Sequence, residues 1–127
     1  MTFLRVEVLS ATSAPDGAPS GFTCPRCGGS MWEGAGEALA FQCRIGHKLT
    51  LGGMLAEHGA SRRAKLIEAG SLLAEAAALN RRIASYAGRR GHALAAARLD
   101  NEATILEQQS IQVMRLARTV VLDRSQA

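Results

Sequence analysis

The apolar and polar positions of this 127-residue chain change period along its length. Residues 3–8, Phe-Leu-Arg-Val-Glu-Val, are apolar apart from Arg5 and Glu7, a weak strand signal without a nearby partner. Residues 10–21 are small and polar, punctuated by Pro15, Gly17, Pro19 and Gly21, and have nothing to bury. Residues 1–21 are therefore expected to be a flexible linker or the end of a preceding region. Met31-Trp32-Glu33 and Leu39-Ala40-Phe41-Gln42 read as two short strands closing a hairpin across Gly34–Gly36.

From Thr50 onward proline is absent and Ala, Leu, Arg, Glu and Gln dominate, the best helix formers. Thr50 is placed to cap a short helix over about 50–58 through Met54, Leu55 and Glu57. A long helix is expected over about 61–87, with Leu66, Ala69, Leu72, Ala76, Leu79, Ile83 and Tyr86 as its apolar stripe. Gly88-Arg89-Arg90-Gly91 breaks it. A second long helix, about 92–122, repeats Leu99, Leu106, Val113 and Val120 every seven residues, with Ala96, Ala103, Ser110 and Ala117 between them. Two stripes joined by so short a loop make an antiparallel hairpin, and residues 123–127 are a tail. Small residues in the stripes bury little area, so self-association or a protein partner is expected to cover the helices.

Composition sharpens this outline. Three cysteines cannot all pair within one chain, and five aromatics make a sparse core. Residues 1–49 balance four bases against four acids, whereas residues 50–127 hold eleven bases and seven acids. Between Glu75 and Asp100 there is no acid, and Arg81, Arg82, Arg89 and Arg90 gather near the hairpin loop as a candidate patch for an acidic partner. No run of 18 apolar residues spans a bilayer and no secretion signal is evident, so a soluble, cytoplasmic protein is expected.

The chemistry sits in the hairpin region. Cys24-Pro25-Arg26-Cys27-Gly28 sets two thiols at C-x2-C spacing, and Cys43-Arg44-Ile45-Gly46-His47 is a C-x3-H turn fifteen residues further on. Cys24, Cys27, Cys43 and His47 are the set that a tetrahedral structural Zn2+ requires, two ligands from each of two tight turns. A Cys24/Cys27 redox pair, a disulfide that leaves Cys43 free, and completion of the site by His58 or His92 are the alternatives. With three thiolates and one imidazole no position is left open for water, so the expected role is structural. Trp32 and Phe41 are expected either to cover the site or to pair across the strands. The fold expected is a small zinc-ribbon-like β-hairpin, residues 22–49, followed by a long antiparallel α-helical hairpin, residues 50–122, mainly α.

Gly21-Phe22-Thr23-Cys24-Pro25-Arg26-Cys27-Gly28-Gly29-Ser30-Met31-Trp32-Glu33 and Phe41-Gln42-Cys43-Arg44-Ile45-Gly46-His47 resemble the C-terminal extension of CheB-type chemotaxis protein-glutamate methylesterases. The likeness covers residues 21–55 in motif and about 21–120 in pattern, the helical tail being generic in composition. Residues 3–10 also resemble the segment that links esterase to extension, which implies a chain corresponding to the extension alone. The resemblance implies a bacterial signal-transduction setting. It does not imply catalysis, because Gly28-Gly29-Ser30-Met31-Trp32 lacks the second glycine that flanks the family's serine, and no Ser-His-Asp triad is evident. The expected function is a non-catalytic zinc-binding module for protein contacts. A nucleic-acid-binding zinc ribbon with basic helices is the alternative, disfavoured by the few aromatics available for stacking.

Overall fold

The computed structural model describes residues 15–34, 36 and 39–120. Four short strands, β1 (Ala18–Thr23), β2 (Ser30–Glu33), β3 (Ala40–Cys43) and β4 (Lys48–Thr50), form one sheet in chain order, every neighbour antiparallel. Two helices follow, α1 (Leu51–Arg89) and α2 (Ala93–Thr119). The expected architecture of a small β module and a long helical hairpin is the one observed. The chain divides into two compact units, one ending at Gly59 and one beginning at Ala60.

In the sheet unit, register decides which side chains meet. Met31 pairs with Cys43, Glu33 with Phe41 and Phe41 with Leu49, so alternation places Met31, Phe41, Cys43 and Leu49 on one face. All four are buried, and with Cys24 and Met54 they form the core cluster. Phe22 meets Phe41 edge to face at 6.0 Å. Trp32 pairs with Gln42 on the other face, where the Arg44 guanidinium lies 5.6 Å from its ring centroid. Trp32 and Phe41 are thus neither a cross-strand pair nor a joint cover: their positions differ by one in register, which sends them to opposite faces.

The first strand begins inside the expected linker, with Pro19 tolerated because β1 is an edge strand. Its pairing with β2 slips between Pro19 and Thr23, where the Ser20 hydroxyl donates to the Met31 carbonyl at 2.7 Å. Residues 1–14 and 121–127, with the strand signal at 3–8 and the tail, lie outside the described residues.

The separate helix expected over 50–58 does not exist, because α1 is continuous from Leu51. Thr50 does cap it, its Oγ1 accepting the Gly53 N–H at 3.0 Å. Gly59 does not break the helix: a lone glycine costs about 1 kcal/mol, which strong flanking helix formers absorb. The stop comes at Gly91, with φ of 80°. The His92 N–H bonds to the Ala87 carbonyl at 2.9 Å and the Gly91 N–H to Gly88 at 3.1 Å, which together close a Schellman motif.

In the hairpin unit α1 buries Gly70, Ala77, Ala84 and Ala87, while α2 buries Ala103, Ser110 and Ala117. The α2 seam is the one its heptad spacing predicts. On α1 the outcome differs, since Leu72, Leu79, Ile83 and Tyr86 of the expected stripe are exposed. Leu66 of that stripe is half-buried, and the seam runs on from it through half-buried Leu73 and Asn80 between the small residues. Ser110 Oγ donates to the Gly70 carbonyl at 2.7 Å, and a methyl group on Gly70 would come within 3.0 Å of Met114. The two backbones can approach so closely only where side chains are this short.

Candidate metal centre

Two tight turns build the site. In the first, the Cys24 N–H bonds to the Gly29 carbonyl at 2.7 Å and the Gly28 N–H returns to Cys24 at 2.8 Å, wrapping residues 24–29 around the thiols. In the second, the Cys43 N–H bonds to the His47 carbonyl at 3.0 Å and the Gly46 N–H to Cys43 at 3.1 Å. Gly46 has φ of 110°, a conformation that a Cβ strains. The turn carries the chain from β3 into β4 and swings the His47 ring back over Cys43.

The Sγ atoms of Cys24, Cys27 and Cys43 and a ring nitrogen of His47 all lie within 4.8 Å of one another. Cys27 Sγ to Cys43 Sγ is 3.7 Å, Cys24 Sγ to His47 Nδ1 is 3.6 Å, and Cys43 Sγ to His47 Nδ1 is 3.4 Å. Cys24 and Cys43 are buried, His47 is half-buried and Cys27 is exposed. The structure therefore brings together the four residues singled out from sequence, a group that could bind a metal ion, and His58 and His92 are not among them.

The electrostatics favour cation binding. Burial pushes the Cys43 thiol up, but N–H groups of His47, Gly46 and Ile45 aimed at its sulfur outweigh this and, with Cys27, bring it down to about 6. The His47 N–H to Cys43 Sγ distance is 3.3 Å. At Cys27 the Gly29 N–H pulls the thiol down, yet desolvation and the adjacent Cys24 and Cys43 thiols carry it above its ordinary value. Thiolates this close repel one another, and a bound cation reverses that balance.

A contact absent from the sequence reading braces the first turn. Arg26, between the two thiols, donates through Nε to Glu57 Oε1 of α1 at 2.8 Å. Its only sequence signal is opposite charge across a separation of 31 residues.

The four arginines of the candidate patch are all exposed but differ in their partners. Arg81 is turned onto α2, with Nε donating to Glu107 at 2.6 Å and further contacts to Asp100 at 3.5 Å and Thr104 at 3.2 Å. Arg89 donates to Ser85, and the Arg90 guanidinium stacks 4.8 Å from the Tyr86 centroid. Arg82 stays exposed with no ion pair among the described residues.

No described helix is long and apolar enough to cross a membrane. Compared with models of known protein families, with curated proteins and with solved structures, the chain matches none.

Proposed function

We infer that Cys24, Cys27, Cys43 and His47 bind one structural Zn2+, and that the protein is a zinc-stabilised interaction module, its helical hairpin offering a contact surface to protein partners. The carrying observation is the size of the four-atom cluster. Zn–S bonds of about 2.3 Å and Zn–N bonds of about 2.0–2.1 Å in a tetrahedron set sulfurs about 3.8 Å apart and sulfur from nitrogen about 3.6 Å. The 3.7, 3.6 and 3.4 Å edges fit those lengths. Thiolate and imidazole donors in tetrahedral array also select Zn2+ over the hard, oxygen-seeking cations.

Four protein ligands complete the coordination and leave no position for substrate or activated water, which supports a structural rather than catalytic role. The need is evident too, since the sheet unit's core cluster is six residues, two of them ligands. A place in chemotaxis-like bacterial signalling belongs to the same proposal and is carried only by the motif likeness to methylesterase extensions. Nucleic-acid binding gains no support from Arg81, whose charge is met by Asp100 and Glu107.

Metal analysis of the purified protein tests the reading. One zinc per chain is expected, with loss of sheet structure on chelation. A sheet that folds fully without metal overturns it.

A further inference from the structure

The face of α1 left open by the hairpin carries Leu72, Leu79, Ile83 and Tyr86, which are 64%, 57%, 43% and 52% exposed. With Ala69 and Ala76 they advance by alternating steps of three and four, the spacing of a coiled-coil seam. It is a second seam, separate from the one through Gly70, Ala77 and Ala84. Arg81 is two residues from both Leu79 and Ile83, about 200° around the helix, so its ion pairs mark the opposite flank as polar. Lys65 and Arg90 take the next positions at either end and close the stripe.

Along the outer edge of this stripe run Glu68, Glu75, Arg82 and Arg89, at intervals of seven and all exposed. None of the four is in an ion pair among the described residues. Acid, acid, base, base is a sequence of charges that complements itself when read backwards.

We propose that the stripe is occupied by a second copy of this chain, packed antiparallel, α1 against α1. Glu68 then faces Arg89 of the second copy and Glu75 faces its Arg82, and two-fold symmetry repeats both pairs. Parallel packing sets these four against the other flank of the second copy, Leu73, Asn80 and Ala87, and makes no ion pair. The antiparallel register also layers Ala69 on Tyr86, Leu72 on Ile83 and Ala76 on Leu79, so the alanines meet large side chains. The apolar layers supply the affinity and the flanking charges choose the orientation. This rests on the reading of the hairpin as a protein-contact surface and names the partner.

Light scattering coupled to size exclusion on the zinc-loaded full chain is expected to give twice the 13.4 kDa chain mass. Glu68→Arg with Glu75→Arg makes the edge wholly basic, and Arg82→Glu with Arg89→Glu makes it wholly acidic. Each double variant is expected to keep its helical circular dichroism and fall to the single-chain mass, and mixing the two is expected to restore the doubled mass. Leu79→Glu, on the same open face, is an independent variant expected to halve the mass. A monomeric parent protein, or a dimer that survives all three variants, overturns the proposal. Zinc content of the same samples separates the two readings: a one-zinc monomer removes the dimer alone, and a dimer without zinc removes the metal centre alone.

Discussion

At the scale of single residues the two turns that carry Cys24, Cys27, Cys43 and His47 dominate. Replacing Cys43 by Ser removes the buried thiol at the centre of the candidate site, and zinc content by atomic absorption is expected to fall well below one per chain. Gly46→Ala keeps all four ligands but strains a backbone at φ of 110°, and is expected to cost about 1 kcal/mol in zinc-loaded stability, read by denaturant titration. Because the ligands must shed protons to bind, chelator competition is expected to show zinc affinity falling as pH drops from about 8 to about 6. The clustering of Cys24, Cys27, Cys43 and His47 was legible from sequence because their spacing is a local property of two turns. The face of Trp32 was not, since one step of register moves a side chain through the sheet. Arg26 and Glu57 were not either, because surface charges carry no mark of their distant partners.

Among elements, the hairpin seam teaches most. Large apolar residues announce a stripe, so Leu72, Leu79, Ile83 and Tyr86 stood out on α1, while Gly70, Ala77 and Ala84, which the helices bury, carry little hydrophobicity. On α2 large and small residues share one seam, and its heptads were read directly. Gly70→Leu is expected to overpack against Met114 and lose about 1–3 kcal/mol, seen as a lower midpoint for helix melting. The cross-helix Arg81–Glu107 pair sets a pH dependence. Hydrogen bonding to Arg81 holds the Glu107 carboxyl below its ordinary 4.5, so its stabilisation is complete above that pH and is lost as pH falls through the lower folded value. Glu107→Gln is expected to flatten that acid limb of the melting temperature against pH, and an unchanged limb would remove the pair from the account.

For the whole molecule, the division at Gly59 separates the unit that carries the candidate metal centre from a unit held by helix packing. Chelation is expected to abolish the strand pairing while most of the far-ultraviolet helical signal remains, with amide exchange locating the loss before residue 60. The continuous α1 was missed from sequence because glycines near its start look like breakers, whereas only Gly91, in a left-handed turn, ends it. The seam of Gly70, Ala77, Ala84, Ala103, Ser110 and Ala117 has a calorimetric consequence. Globular domains gain about 12–15 cal/mol/K per residue in heat capacity when unfolded, mostly from hydrating apolar surface. A hairpin whose fully buried residues are glycine, alanine and serine, with Leu66, Leu73, Leu99, Leu106 and Val113 only half-buried beside them, hides less such surface than a core of large side chains. Its unfolding is expected to show a heat-capacity step below that range and a shallow denaturant slope, so the stability of the helices should vary gently with temperature.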